Sequence, residues 1–168
     1  MVIRIAGTVS ESIVDGPGIR YTIFTQGCPH HCEGCHNPET HDFEGGRLAE
    51  TDKIYEHIIS NPLLRGVTYS GGEPFCQPEP LYALGKKLKD NTKLDIMIYT
   101  GYLFEKLCEM AQTNEHIKNL LSIADIIVDG RFVLAEKSYE LKFKGSRNQR
   151  IIDCPRSLEE GKVVLKEL

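Results

Sequence analysis

The chain has 168 residues, of which 40% are apolar and 26% charged, a composition typical of one globular domain large enough to bury a core. Its 20 basic and 24 acidic side chains give a net charge of −4 without a long run of Lys or Arg, so nucleic acid is not expected as a partner. The N-terminus lacks the apolar core of a signal peptide and no run approaches the ~20 apolar residues that span a bilayer, so we expect a cytoplasmic protein without a membrane partner.

The first predicted element is a strand over residues 19–25. Residues 1–18 are predicted to be loop-like with a short apolar start, and they end in the turn Asp15-Gly16-Pro17-Gly18. The run after this turn is β-branched and aromatic, which is typical of a strand, and Gly27 ends it. The segment that follows is therefore at the carboxyl end of a strand, where parallel α/β folds bind their ligands.

That segment, Cys28-Pro29-His30-His31-Cys32-Glu33-Gly34-Cys35, carries three thiols in a C-x3-C-x2-C spacing, and we call it the cysteine loop. Pro29 and Gly34 exclude a regular helix, so the three sulfurs can turn toward one centre. Because thiolates are soft ligands, the pattern predicts an iron–sulfur cluster, zinc or Cu(I), and three thiolates leave a four-ligand site one ligand short. Six cysteines in a reducing compartment likewise indicate metal or redox chemistry rather than disulfides.

Residue chemistry alone leaves three interpretations of the cysteine loop open. The thiols can hold a cluster with one open iron, or a structural zinc ion whose fourth ligand is His30, His31, His36 or His41. The third interpretation, redox-active or unrelated thiols, is disfavoured because half of the six cysteines fall within eight residues. Outside a ligand role, His30 and His31 are expected to face solvent.

Downstream of the cysteine loop, helices and strands are predicted to alternate. The predicted helices cover residues 51–60, 81–90, 103–111 and 115–123, and the predicted strands cover 66–69, 94–100 and 124–130. This order implies right-handed crossovers and parallel pairing. With four to six strands the chain is too short to close a full barrel, so the expected fold class is α/β, a single domain of residues 1–168 forming a partial (β/α) barrel with mostly parallel strands.

The strand at 66–69 runs directly into Ser70-Gly71-Gly72-Glu73-Pro74, which we call the glycine turn. Paired glycines leave backbone groups free to bond a ligand, the glutamate offers a carboxylate, and the proline fixes the exit of the chain. Since the turn also follows the carboxyl end of a strand, it is predicted to share one edge of the sheet with the cysteine loop.

Together, the three-thiol loop, the glycine turn and the parallel strand–helix order resemble the radical S-adenosylmethionine (SAM) enzymes. Further segments resemble the glycyl-radical-enzyme activases, and in particular those of anaerobic ribonucleoside-triphosphate reductase. These segments are Asp15-Gly16-Pro17-Gly18-Ile19-Arg20, Cys35-His36-Asn37, Tyr99-Thr100-Gly101-Tyr102, Val128-Asp129-Gly130-Arg131-Phe132 and Gly145-Ser146-Arg147-Asn148-Gln149-Arg150. The resemblance covers residues 9–152.

The resemblance implies two cofactors and a set of residues for each. A [4Fe-4S] cluster would be ligated by three cysteines, Cys28, Cys32 and Cys35, with SAM on the fourth iron. The amino group of SAM would be received by the glycine turn at Gly71, Gly72 and Glu73. The adenine would be served by the backbone of Gly34, Cys35 and His36, because this chain has glycine where many relatives carry an aromatic residue before the third cysteine. Asp129 would lie near the cofactor, in an Asp-x-Lys position where this chain has Arg131 for the lysine.

The activity implied by the resemblance is reductive cleavage of SAM to a 5′-deoxyadenosyl radical, which generates a glycyl radical on the large subunit of the reductase. The implied electron donor is a protein such as a flavodoxin, and no side chain is expected to act as nucleophile or general base. Two alternatives remain: an activase of another glycyl-radical enzyme of the formate-lyase type, and a zinc-stabilised binding module that is not an enzyme.

Overall fold

The structure, a computed structural model that covers residues 1–168, contains one seven-stranded sheet and five α-helices. The strands are β1 (Val2–Ser12), β2 (Arg20–Thr25), β3 (Arg47–Glu50), β4 (Gly66–Gly71), β5 (Asp95–Tyr99), β6 (Ile126–Asp129) and β7 (Arg150–Asp153). The helices are α1 (Thr51–Ile59), α2 (Pro78–Asn91), α3 (Phe104–Ala111), α4 (Glu115–Ile123) and α5 (Cys154–Glu160). None of these helices is both long and apolar enough to cross a bilayer.

The strands follow the order β3-β1-β2-β4-β5-β6-β7 across the sheet. The central strands β2, β4, β5 and β6 pair in parallel, as predicted. Strand β1 is antiparallel to both of its neighbours and β7 is antiparallel to β6. Five strands therefore run in one direction and two in the other, which confirms a mixed α/β fold with mostly parallel strands, while closure into a partial barrel stays a prediction.

The three strands outside the parallel centre were not predicted. Residues 2–12 were expected to be loop, yet they form the longest strand, whose alternating Ile3 and Ile5 are buried. Its more polar second half is held by antiparallel pairing with β2, for example Val9 with Thr22. Strand β3 is mostly exposed and β7 has only four residues, so backbone pairing stabilises both more than apolar periodicity does.

Side chains of the central strands alternate between two faces of the sheet. Ile96 and Ile98 belong to a core of 26 buried residues that includes the apolar sides of the helices, for example Leu88 of α2. Met97 and Val128 instead form a small separate cluster. Because successive side chains of a strand point to opposite faces, the helices cover one face and the small cluster lies on the other.

A buried arginine holds the amino ends of the parallel strands together. Arg20, at the start of β2, is 0% exposed and donates to Thr68 Oγ1 (2.8 Å), to the Val67 carbonyl (3.1 Å) and to the Pro17 carbonyl (3.0 Å). Its guanidinium also pairs with Asp95, the first residue of β5. A buried charge needs such partners, and this network lies at the opposite end of these strands from the cysteine loop.

Candidate functional site

The carboxyl ends of β2, β4, β5 and β6 meet at a cavity of about 110 Å³. Its lining comes from all four strand ends: Cys28, His30, Cys32, Cys35, His41, Gly71, Gly72, Tyr99, Thr100, Gly101, Gly130, Phe132 and Gln149. The cysteine loop and the glycine turn thus share one edge of the sheet, as parallel pairing of β2 with β4 requires. The structure therefore brings together the three thiols and Gly71 and Gly72 of the glycine turn, whereas Gly34 does not line this cavity.

The cysteine loop is bent by two residues with left-handed backbone, Gly34 (φ +74°) and, unusually for a residue with a side chain, His31 (φ +49°). Cys28 is buried and its amide donates to the His41 carbonyl (3.1 Å), while Cys32 and Cys35 are partly exposed. No group of three His, Cys, Asp or Glu side chains has metal-coordinating separations in this structure. The three thiols share a cavity without forming a closed ligand set.

The donor atoms around the cavity fit a soft metal centre. Burial raises the pKa of the Cys28 thiol, with the backbone amide of His30 opposing the shift, so binding of a metal there would release a proton. Nε2 of His41 is the only buried side-chain nitrogen or oxygen without a hydrogen-bond partner. Desolvation, followed by the nearby His31, lowers the pKa of His41 and keeps its ring neutral. The three thiols suit a cluster that is left one ligand short, and together with the unpartnered imidazole of His41 they would also supply the four ligands of a zinc site, so the donor atoms alone leave both interpretations open.

The carboxylate of Glu73 is fully buried and accepts hydrogen bonds from groups of the protein itself. It accepts hydrogen bonds from Thr100 Oγ1 (2.9 Å to each oxygen), from the Gly101 amide (2.8 Å) and from the Phe75 amide (3.0 Å). Its Oε1 also lies 2.6 Å from Nε2 of His30. The side chain of Glu73 does not line the cavity, although Gly71 and Gly72 beside it do.

The expectation that His30 faces solvent is wrong. Its side chain is only 4% exposed, and its ring packs edge-on against Tyr102 with 4.6 Å between ring centroids. His31 is exposed, as expected. The sequence offered no signal for this difference, because the partner of His30 is a carboxylate 43 residues away in the chain.

Asp129 is also fully buried, and its partners lie outside the cavity. Its Oδ2 accepts from the amide of Phe104, the first residue of α3, a helix without a side-chain cap of its own (2.8 Å). The guanidinium of Arg150 bonds both oxygens of Asp129 and also reaches Glu105. Arg131, which stands in the position of the family's lysine, is exposed.

A second cavity, of about 590 Å³, adjoins the first and shares Cys35, Tyr99, Phe132 and Gln149 with it. His36 lines this cavity, and its ring packs against Phe132 at 5.1 Å between centroids. Gly34 lies outside both cavities. Gly34 is exposed, and a methyl group there would come within 2.8 Å of a methyl carbon of Leu134, a 44% exposed side chain that can move, so glycine is favoured by the left-handed backbone rather than by close packing.

Gln149 is one of several lining residues that the predicted site did not include. Its Oε1 accepts from the amides of Gly145 (2.8 Å) and Ser146 (3.2 Å), and its Nε2 donates to the Gly130 carbonyl (3.0 Å). Gln149 thus joins the polar segment before β7 to the turn after β6. The only sequence signal was its place in the segment Gly145–Arg150 that resembles the activases, because composition alone indicated a solvated loop.

Comparison with known proteins supports a cluster site. The model of a family described as a 4Fe-4S single cluster domain matches residues 14–152. The chain is 31% identical over 148 residues to the anaerobic ribonucleoside-triphosphate reductase-activating protein of Haemophilus influenzae, covering 83% of this chain and 90% of that protein. It is 35% identical over 147 residues to the protein of the same name from Vibrio cholerae, with the same coverage. It is 33% identical over 132 residues to the pyruvate formate-lyase-activating enzyme of Clostridium pasteurianum, covering 76% of this chain and 55% of that protein.

Proposed function

From the premise that this chain belongs to the family of anaerobic ribonucleoside-triphosphate reductase-activating proteins, we propose that it generates a glycyl radical on such a reductase. It is a radical SAM enzyme with a [4Fe-4S] cluster and SAM as cofactors. When bound, the reduced cluster would supply one electron to SAM, whose cleavage would yield methionine and a 5′-deoxyadenosyl radical able to take a hydrogen atom from a glycine Cα of the reductase.

The observation that carries the proposal is the meeting of three thiols and a glycine turn in one cavity at the carboxyl ends of parallel strands. In the proposed site Cys28, Cys32 and Cys35 hold the cluster. Gly71, which has a left-handed backbone (φ +84°), and Gly72 present backbone carbonyls to the amino group of SAM. An added methyl group at Gly71 would come within 2.7 Å of Phe24 Cα, and one at Gly72 would meet the Gly27 carbonyl, so the missing side chains let the turn pack closely against β2 and the residue before the cysteine loop.

The remaining predicted residues have less direct roles in this proposal. The backbone of Cys35 and His36 and the second cavity offer room for the adenosyl part of SAM, with Gly34 supporting the bend of the loop. Asp129 holds the start of α3 and the strand end before Gly130 in place. We also propose, from the family alone, a flavodoxin-like electron donor and a cytoplasmic location.

A second candidate function is activation of a formate-lyase-type enzyme. The specific observation in its favour is the 33% identity to a pyruvate formate-lyase-activating enzyme, but this chain spans only 55% of that protein. By contrast, it spans 90% of two reductase-activating proteins. The match to the reductase-activating proteins, which extends over 90% of each of them, therefore favours the reductase as the target.

The test is electron paramagnetic resonance on an anaerobic mixture of reconstituted protein, SAM, a strong reductant and a candidate glycyl-radical protein. We expect a glycyl doublet on the anaerobic reductase. Cys32→Ala should abolish both bound iron and the doublet, whereas Cys108→Ala, which removes a thiol that does not line the cavity, should leave both unchanged. A doublet on a formate-lyase but none on the reductase would overturn the assignment, and a colourless protein that binds zinc would refute an enzyme of this class.

A further inference from the structure

The carboxylate of Glu73 has no free acceptor position for a ligand. An ionised carboxylate offers about four lone-pair sites, and four donors already surround this one: the Thr100 hydroxyl, the amides of Gly101 and Phe75, and His30 Nε2. The group is 0% exposed, so no water or cofactor atom reaches it without displacing one of these donors. Its position in the glycine turn therefore does not make it a contact for the amino group of SAM.

The donor that comes from the cysteine loop is His30, which lies midway between Cys28 and Cys32. Because the other partners of Glu73 are all donors, the carboxylate accepts and Nε2 of His30 carries the hydrogen. The ring is fixed on its other sides by Tyr102 and by Gly101, where an added methyl group would approach His30 Cδ2 to 2.4 Å. The side chain of His30 thus has one defined position.

We propose that His30 is a positioning residue that fixes the cysteine loop against the glycine turn through Glu73. The two segments carry the two halves of the site, and the His30–Glu73 hydrogen bond is the side-chain contact between them. A backbone bond from the Glu73 amide to the Gly27 carbonyl (2.8 Å) joins the same segments one residue before Cys28. The pair sets the distance between the thiols and the backbone that receives SAM, an inference that rests on the proposed binding of cluster and SAM to this cavity.

The proposal predicts that loss of His30 affects SAM binding but not cluster binding. The thiols themselves do not depend on His30 for their chemistry, so a chain without the imidazole should still bind the cluster. SAM must contact the cluster and the glycine turn at once, so a loosened loop should weaken SAM binding. Glu73 would support SAM binding through its hydrogen bond to His30 rather than by contacting SAM.

The experiment compares anaerobically reconstituted His30→Ala, His30→Gln and Glu73→Gln with wild type. The matched control is His31→Asn, because that neighbouring ring is exposed and has no contact with Glu73, and asparagine tolerates the left-handed backbone at this position. Three quantities are measured: iron per chain, the dissociation constant for SAM, and the change that SAM causes in the electron paramagnetic resonance spectrum of the reduced cluster. These are binding measurements, so a wild-type protein that binds cluster and SAM but forms no glycyl radical would refute the proposed function and leave this inference intact.

We expect His30→Ala to keep wild-type iron while its affinity for SAM falls about tenfold, the effect of losing roughly one hydrogen bond to a charged group. His30→Gln, whose amide can donate to Glu73, should recover most of the affinity and the spectral change, and His31→Asn should match wild type. The double variant His30→Ala/Glu73→Gln should bind SAM no more weakly than the weaker single variant. Wild-type SAM affinity in His30→Ala would overturn the proposal. So would a loss of iron in His30→Ala that His30→Gln does not restore. The proposal would also fail if Glu73→Gln were the only variant that binds SAM weakly.

Discussion

Two buried carboxylates at the ends of parallel strands, Glu73 after β4 and Asp129 at the end of β6, look alike in sequence and differ in the structure. Both were predicted to lie at the cofactor, and both bond protein donors: four groups at Glu73, and the Phe104 amide with two nitrogens of Arg150 at Asp129. The partners of Glu73 come from the cysteine loop and from the turn after β5, whereas Asp129 bonds Arg150 of β7 and the start of α3. One carboxylate joins the two halves of the site, and the other joins the surrounding framework.

The difference teaches that the position of an acidic residue beside a glycine at a strand end does not decide whether it meets a ligand. What decides it is which donors the neighbouring strands supply. Loss of the Glu73 contacts should therefore change cofactor binding, and loss of the Asp129 contacts should change stability. The following variants test that separation.

The largest effect is expected from Asp129→Ala. The change leaves the Arg150 guanidinium paired with Glu105 alone and the amide of Phe104 without its acceptor. Because Arg150 stays partly hydrated, breaking this buried ion pair should lower the free energy of unfolding by about 3 kcal/mol. Urea unfolding of the protein without cofactors measures the loss. Asp90→Ala, which removes an exposed pair with Lys86, is the control and should change the free energy of unfolding by less than about 1 kcal/mol.

SAM binding completes the test of Asp129. If the residue belongs to the framework, reconstituted Asp129→Ala should bind SAM with nearly wild-type affinity at a temperature where it is folded. An unchanged free energy of unfolding together with lost SAM binding would show instead that Asp129 contacts the cofactor.

The glycine turn should be sensitive to a single methyl group. In Gly72→Ala the new carbon would lie 2.4 Å from the carbonyl oxygen of Gly27, a backbone atom one residue before Cys28, so the two segments must move apart. We expect a loss of about 1 to 3 kcal/mol in unfolding free energy, as for other overpacked sites, and reduced iron after reconstitution. Gly7→Ala is the matched control, because no atom lies within 4 Å of a methyl group at that position in β1. Equal behaviour of the two variants would mean that the contact with Gly27 is unimportant.

The smallest effect is expected at Glu105, which shares Arg150 with Asp129, and it depends on pH. A hydrogen bond from Arg150 lowers the pKa of Glu105 below its usual value of 4.5, so the folded state favours the carboxylate. The stabilisation is present above that value and disappears as pH falls through the lowered pKa of the folded state. Because the side chain of Glu105 is 63% exposed, Glu105→Gln should cost less than about 1 kcal/mol at pH 7.

Urea unfolding at pH 7 and at pH 3 checks the sign of this effect. The difference between wild type and Glu105→Gln should shrink toward zero at the lower pH, because protonated Glu105 resembles the amide. A difference that is the same at both pH values would assign the effect to packing rather than to charge.

Sequence patterns were sufficient for the parts of this protein that depend on near neighbours in the chain. The β-branched runs predicted the four parallel strands to within two residues at every end, because such runs favour strands wherever they pack. The C-x3-C-x2-C spacing predicted a soft metal centre and left cluster and zinc open, and the resemblance of this loop, the glycine turn and further segments to the activases predicted the cofactors and the family. These two motifs can be recognised without knowledge of distant residues, because their properties depend on proline, glycine and cysteine residues within a short segment.

The tertiary structure alone decided what depends on distant partners. Strands β1, β3 and β7 exist because neighbouring backbones offer them pairing, although their own side chains alternate weakly or are exposed. The imidazole of His30 is buried because Glu73 lies opposite it, 43 residues along the chain, and the carboxylate of Glu73 is unavailable to a ligand for the same reason. A polar side chain can be buried only where its hydrogen bonds are satisfied, and which partners satisfy them is determined when the strands pair.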